Sequence, residues 1–401
     1  MKILHVVGGN FKSGAFKGAY ILHKALVKNK IDSKILNDSP NESISDNYKD
    51  IMFINVNYLE KILNKCFCYF EKFLKSLILP SPRSTFTFAL FGADITKLQD
   101  YKNADIIHIH WLSDGFINLK SISKIKKPIV WTMRDMWPFT GGAHYTMDFK
   151  KYENSIISKY IQNLKKKSFK RGIKFISISN WLKQKAEKSY VLKDFKINNV
   201  YNNIDFENFE LIEKENAKSI LKINTNKKII LFGANNPQLE RKGWKIFLQT
   251  LKKIDKSKYF LIIFGKFWSN KILEDIGIEY KSFGNVSDQK FLNLIYSSSD
   301  MFIAASIQEA FGKTWAEAMA CGLPIVCFKE TSAAEIVEHK LDGYVVNEID
   351  ESKLLEGINW LASSHDHSTN RDRIRNKAKM FEAQKVANNY IEIYKSCLNN
   401  V

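Results

Sequence analysis

The sequence predicts an α/β protein made of two doubly wound domains that face each other across a ligand cleft. Three observations carry this expectation. The chain has 401 residues, more than the roughly 100–200 of a single domain. Short apolar runs bounded by turn residues alternate with longer stretches of helical period, the pattern of parallel strands joined by crossover helices. This rhythm restarts once, after Asn202-Asn203-Ile204-Asp205, where a helix-unfriendly Asn pair reads as a linker.

In order along the chain, strands are expected at 2–7, 105–110, 128–133, 175–179 and 198–201, then at 228–233, 259–265, 300–305, 324–328 and 343–346, the short apolar runs of the alternation. The domains are read as 1–205 and 206–380, with a helix at 381–401 packing back on the first domain. One segment breaks the α/β rhythm. Residues 58–79 place Leu59, Ile62, Leu63, Phe67, Phe70, Phe73, Leu74 and Leu77 at helical spacing among Lys61, Lys65, Lys72 and Lys75, ahead of Pro80 and Pro82. Two readings stand: a core-packed helix with a solvated Lys face, or contact with an anionic bilayer. A second basic stretch, Lys165-Lys166-Lys167 with Lys170, Arg171 and Lys174, leans toward the latter.

With 45% hydrophobic residues the chain carries too much apolar surface for a disordered protein. Its formal charge of +19 is lopsided: residues 1–200 hold 34 basic and 16 acidic side chains, against 27 and 26 in the remainder. A basic partner surface therefore belongs to the first half. Five cysteines, without paired C-x-x-C spacing, argue against a disulfide framework and a zinc site. The start lacks a signal-type apolar region and no run of eighteen apolar residues occurs, so a cytoplasmic protein is expected, peripheral at the inner membrane face if the basic half meets lipid. Nucleic-acid binding rests on charge alone, since no zinc finger, RNP or helix-turn-helix pattern accompanies it.

The strongest chemical signal is residues 306–324, SIQEAFGKTWAEAMACGLP. A strand ends in a turn carrying Glu309, and Gly312 opens a helix with Glu317 eight residues after the first carboxylate. Free N–H groups at that helix start, from Phe311 through Lys313 to Thr314, suit a diphosphate. Glu309 is placed to reach sugar hydroxyls and Glu317 a ribose diol. Upstream, Arg241-Lys242-Gly243 follows a strand, where a Lys balances diphosphate charge and makes a metal unnecessary. No D-x-D pair, a common metal-holding element, is present. Gly284-Asn285-Val286 offers backbone amides for a nucleobase. Asp135, Trp137, His144 and Tyr145 follow a strand end, where a cleft belongs in an open α/β sheet. His144 reads either as an acceptor contact or as a structural histidine. His108 and His110 share one face of a strand but lack a Cys or acidic companion, and are read as buried or cleft-edge residues.

This order of motifs resembles the retaining glycosyltransferases of family 4, which have the GT-B fold of two facing Rossmann-like domains. The resemblance runs over nearly the whole chain and is densest at Arg241-Lys242-Gly243, Gly284 to Asp288, Ser306 to Pro324, Glu335-Ile336-Val337 and Asp342-Gly343. Gly8-Gly9 with Gly14 looks like the family's glycine-rich loop at donor phosphates and acceptor. The stretch 131–145, WTMRDMWPFTGGAHY, looks like a subgroup that builds bacterial capsule, O-antigen or exopolysaccharide. The resemblance implies metal-free transfer of a sugar, with retention, from a nucleotide donor, UDP- or GDP-linked, to a saccharide that is often lipid-linked. It assigns the diphosphate to Lys242 with Arg241, the ribose to Glu317, the transferred sugar to Glu309, and backbone amides to Phe311, Gly312 and Lys313. The departures are two. Gly233 is followed by Ala234 where many members have Arg, and Arg134 replaces the usual His before Asp135. Arg cannot serve as a base at neutral pH, leaving it an electrostatic part near the departing diphosphate. A catalytically impaired partner or scaffold of other glycosyltransferases is the alternative; intact Lys242, Glu309 and Glu317 favour the enzyme.

Overall fold

A computed structural model describes residues 1–399 except 39–50, 54–57, 79–84, 113–114, 267–270 and 364–366. The chain divides into two compact units, Met1–Asn203 joined by Ala383–Val401, and Ile204–Glu382.

In the first unit seven parallel strands run β3-β2-β1-β5-β7-β8-β9: β1 (Lys2–Val7), β2 (Asp32–Asn37), β3 (Ile51–Phe53), β5 (Ile106–Trp111), β7 (Ile129–Met133), β8 (Lys174–Ser177) and β9 (Ile197–Asn199). A separate small pair joins β4 (Gly92–Ala93) to β6 (Gly115–Ile117). The central strands β1, β5 and β7 are apolar and almost wholly buried, as both-face coverage demands. The helix Gly14–Lys28 starts where Ser13 accepts from the Phe16 N–H, an N-cap, and packs Leu22, Ala25 and Leu26 against Ile3, Ile106 and Val130. Val386, Ala387, Tyr390, Tyr394 and Cys397 of the helix Ala383–Leu398 close the same cluster. The order of strands reverses at β1 and β5, a switch point, and the loops after their C-terminal ends carry Gly8-Gly9 and Leu112.

The second unit holds six parallel strands in the order β12-β11-β10-β13-β14-β15: β10 (Lys228–Gly233), β11 (Tyr259–Phe264), β12 (Tyr280–Ser282), β13 (Met301–Ala304), β14 (Ile325–Phe328) and β15 (Gly343–Val346). Its core stacks Phe232 on Phe247 at 4.6 Å among Leu261, Ile263, Ile303 and Val326. Here the switch point lies between β10 and β13, whose C-terminal ends lead into Ala234 and Ala305-Ser306.

The strands β2, β3, β4, β6 and β12 were not expected from the sequence. Asp32-Ser33-Lys34 and Tyr280-Lys281-Ser282 are polar, and the other three are two or three residues long. The segment 58–79 does form a helix, Tyr58–Ile78. The prolines Pro80 and Pro82, and the side chains of Leu59, Lys61, Leu63, Lys65, Phe67 and Leu77, lie outside the described residues. Among the described residues no helix is long and apolar enough to cross a membrane.

Candidate active site

At the switch point of the second sheet, the short turn Glu240–Lys242 is stitched to the loop after β13. The Arg241 carbonyl accepts from the N–H groups of Ile307 (2.7 Å) and Gln308 (3.2 Å). Gly243 makes this possible: its φ is +73°, and a Cβ there would come within 1.8 Å of the Ala305 carbonyl oxygen. The stitched loops bring Lys242 Nζ onto Glu309 Oε2, with Arg241 Nη1 at 3.8 Å. Gly312, at φ +81°, turns the chain into the helix Lys313–Ala320. A cavity at this edge is lined by Gly233, Ala234, Lys242, Ser306, Glu309, Gly312, Thr314 and Ser332. Two cations, a carboxylate and a helix start thus converge on one concave place, an arrangement that can hold an anionic diphosphate beside hydroxyl groups.

The other residues of the second half sit around that centre. Phe311 is buried, its carbonyl accepting from Trp315 Nε1 and, at 2.7 Å, from Ser332 Oγ. Lys313 is half-buried at the first turn of its helix. Glu317 is not the exposed helix residue that its position permits: it is 8% exposed and accepts from Tyr296 OH at 3.0 Å. Burial, then the Glu317 charge, pushes the Tyr296 hydroxyl well above its ordinary pKa. Asn285 is exposed and Val286 half-buried on a loop held by the Gly265 N–H donating to the Gly284 carbonyl at 2.6 Å. Ser332 and Tyr296 escaped the sequence reading, because lone hydroxyls carry no spacing signal.

In the first unit, Gly9 (φ +83°) donates its N–H to Asp38 Oδ1 at 2.8 Å, and a Cβ on it would meet the Trp111 ring at 2.9 Å. Gly14 begins its helix in open space. Trp111, unforeseen, joins the glycine loop to the 131–145 stretch: its Nε1 donates to Asp135 Oδ2 (2.8 Å) and lies 3.0 Å from His144 Nδ1. Asp135 also accepts from the Trp137 N–H at 2.9 Å and pairs with His144 Nδ1 at 2.7 Å.

Four expectations are corrected here. Arg134 does not open toward a ligand. It is 9% exposed, with Nη1 on Asn202 Oδ1 (2.5 Å) and Nη2 3.0 Å from His110 Nδ1, beneath Gly18, whose absent Cβ would crowd it at 2.7 Å. Burial lowers its pKa from the ordinary guanidinium value. His144 is buried, with Nε2 3.1 Å from Thr87 Oγ1, rather than open to an acceptor. Trp137 is equally internal: Nε1 donates to the Thr87 carbonyl at 2.7 Å, and Lys165 Nζ lies 3.6 Å from the ring centre. Lys165 is not part of a surface charge run either, since it is buried and donates to the Trp137 carbonyl and, at 2.9 Å, to that of Thr140. Tyr145, half-buried, precedes the short turn Thr146–Phe149.

His5, His108 and His110 bring ring nitrogens within 4.8 Å of one another, a spacing compatible with metal. Their partners speak for a hydrogen-bonded core instead. His5 Nδ1 meets His110 Nε2 (2.8 Å), and His108 meets Tyr394 OH (2.6 Å) and Thr132 Oγ1 (2.8 Å). Burial first, then the neighbouring histidines and Arg134, hold all three pKa values well below the ordinary histidine range. A dication there would face the Arg134 charge and break these bonds.

Known proteins bear on this geometry. Residues 13–208 match the family described as Glycosyltransferase Family 4, and residues 213–381 match Glycosyl transferases group 1. An uncharacterized 41.2 kDa protein in the cps region of Klebsiella pneumoniae is 27% identical over 75% of this chain and 82% of its own length. An uncharacterized glycosyltransferase of Methanocaldococcus jannaschii is 25% identical over 73% of this chain and 75% of its own. The fold is shared with a Rickettsia africae glycosyltransferase (TM-score 0.69, 20% identity, 100% of this chain and 99% of that one). It is shared too with the Anabaena protein HepE, solved in complex with UDP and glucose (TM-score 0.68, 15% identity, 99% and 100%). With both halves matched and both sheets built as the GT-B fold requires, this chain belongs to the family 4 glycosyltransferases and is a transferase enzyme.

Proposed function

We propose that the protein transfers a sugar, with retention and without metal, from a UDP- or GDP-sugar to a lipid-linked saccharide during synthesis of a bacterial surface polysaccharide at the inner face of the cell membrane. The observation that carries this is the convergence of Lys242, Arg241 and Glu309 beside the Gly312 turn. The cps-region relative supports the pathway, and complexes of the Anabaena protein with UDP and UDP-glucose support the donor class.

In this reading the diphosphate enters the cavity and takes Lys242 from Glu309, while N–H groups of Gly312, Lys313 and Thr314 add donors at the helix start. The released Glu309 carboxylate accepts from hydroxyls of the sugar. The bond between the anomeric carbon and the diphosphate oxygen breaks as the acceptor hydroxyl attacks from the same face, and its proton passes to the departing phosphate oxygen. Negative charge growing on that phosphate is met by Lys242 and Arg241, which is stabilisation delivered where charge develops. The first unit supplies the acceptor side through the Gly9 loop and Tyr145, with Asp135, Trp137 and His144 as the frame beneath. Glu317 holds the ribose from its place beside Tyr296.

A thermal-shift series with UDP, GDP, ADP, CMP and their sugar conjugates, with and without chelator, tests the donor site, because a ligand of the folded state raises its midpoint by mass action. One nucleotide class is expected to stabilise the protein equally in both conditions. No shift at millimolar nucleotide, or one abolished by chelator, contradicts the reading.

A further inference from the structure

Among the described side chains of the helix Tyr58–Ile78, Glu71, Leu74 and Lys75 face the protein. Glu71 is fully buried and accepts from the N–H groups of Leu90 (3.0 Å) and Phe91 (3.3 Å). Lys75 Nζ donates to the Phe86 carbonyl, and Leu74 packs on the cluster around Phe86, Phe88 and Tyr152. The outer side carries Ile62, Cys66, Tyr69 and Phe73, spaced by four, three and four and therefore one stripe, with Phe70 beside it. Tyr69 is 69%, Phe73 58% and Phe70 48% exposed. Lys72, itself exposed, holds its ammonium 5.5 Å from the Tyr69 ring centre. Among the described side chains, exposed aromatic rings and the exposed Lys72 share the outer side of this helix. A second helix, Ile156–Ser168, rests on the same cluster through Ile161 and Leu164. It too exposes apolar side chains, Ile156 at 86% and Tyr160 at 57%, next to exposed Lys159 and Lys167.

We infer that these two helices form a docking surface for an anionic lipid bilayer, with Tyr69, Phe70 and Phe73 entering the headgroup boundary and the lysines meeting lipid phosphates. Aromatic rings interleaved with lysines suit that boundary, and the excess of 34 basic over 16 acidic side chains in residues 1–200 supplies attraction to anionic lipid. The same excess disfavours a second copy as the occupant, since two like-charged units repel. The inference deepens the proposed function only in naming what holds the acceptor's side of the enzyme to the membrane.

The test is co-sedimentation of the full chain with vesicles of phosphatidylethanolamine and phosphatidylglycerol, or of phosphatidylcholine alone, at low and high salt, with UDP and GDP binding measured in parallel. The chain is expected to bind anionic vesicles at least about tenfold better than neutral ones and to be released by salt. The triple variant Tyr69→Ser, Phe70→Ser, Phe73→Ser should lose that binding at least about tenfold while keeping its melting midpoint and UDP affinity, because its side chains are exposed. The variant Lys72→Glu, Lys159→Glu should lose the preference for anionic lipid, and decides the matter if the triple variant melts early. Absence of wild-type binding, unchanged binding by either folded variant, or a dimer that the triple variant dissolves overturns the inference. Binding of UDP or GDP without vesicle binding leaves the transferase reading standing, whereas vesicle binding with binding of neither nucleotide removes that reading and leaves this surface.

Discussion

Lys242 and Arg241 meet Glu309 in the proposed donor site, where an entering diphosphate would compete with that carboxylate for the two cations. Two expectations follow from that competition. Glu309→Gln removes the competing charge, and UDP should bind a few-fold more tightly by calorimetry. Transfer should nonetheless fall about 10- to 100-fold, the loss expected for a charged hydrogen bond to the sugar. Lys242→Ala should instead weaken UDP binding by a similar factor. Arg134 belongs to a different ledger. Its bonds to Asn202 and His110 make Arg134→Met a stability variant that leaves buried partners unmade, costing about 1–3 kcal/mol, with UDP affinity unchanged. The placement of Glu309, Gly312 and Glu317 along one strand-turn-helix was legible in sequence because they keep fixed offsets. The inward turn of Arg134 was not, since it depends on Asn202 and His110, distant in sequence and adjacent only in the folded sheet. Trp111 was hidden for the same reason.

At the scale of elements, two joints can be broken selectively. Gly243→Ala puts a methyl group against the Ala305 carbonyl at a left-handed backbone position, so the Glu240–Lys242 turn should lift from the loop after β13. Weakened UDP binding with little change in overall helix content is expected, read by calorimetry and circular dichroism. The second joint is the histidine layer of β1 and β5. Because His5, His108 and His110 have folded pKa values well below the unfolded value near 6.5, the unfolded chain binds more protons as pH falls past that value. Their contribution to stability is therefore complete above about pH 6.5 and is lost on acidification, by up to about 1.4 kcal/mol per pH unit for each histidine. Denaturant midpoints measured from pH 7.5 to 5 should fall, and His108→Gln should flatten that slope. The long buried strands were readable because burial on both faces leaves short runs dominated by apolar residues, broken in β1 and β5 only by histidines. The strand β2 was not, since only Ile35 and Leu36 interrupt its polar sequence, and its pairing with β1 is decided by backbone register.

Across the whole molecule, the first unit is basic and the second nearly neutral, and the two carry different parts of the proposed reaction. The chain leaves the first unit at Asn203 and returns to it at Ala383, where Tyr390 and Tyr394 bond Thr132 and His108. The two tyrosines lie four residues apart on one helix face, a periodicity visible in sequence, but their polar partners on the sheet are not. The measurement that bears most directly on the central claim is release of nucleoside diphosphate from a panel of UDP- and GDP-sugars in chelator, with wild type and Lys242→Ala side by side. The account predicts slow release from one donor class that persists in chelator and is lost in the variant. Release that requires a divalent metal, release undiminished in Lys242→Ala, or none from any donor would contradict it.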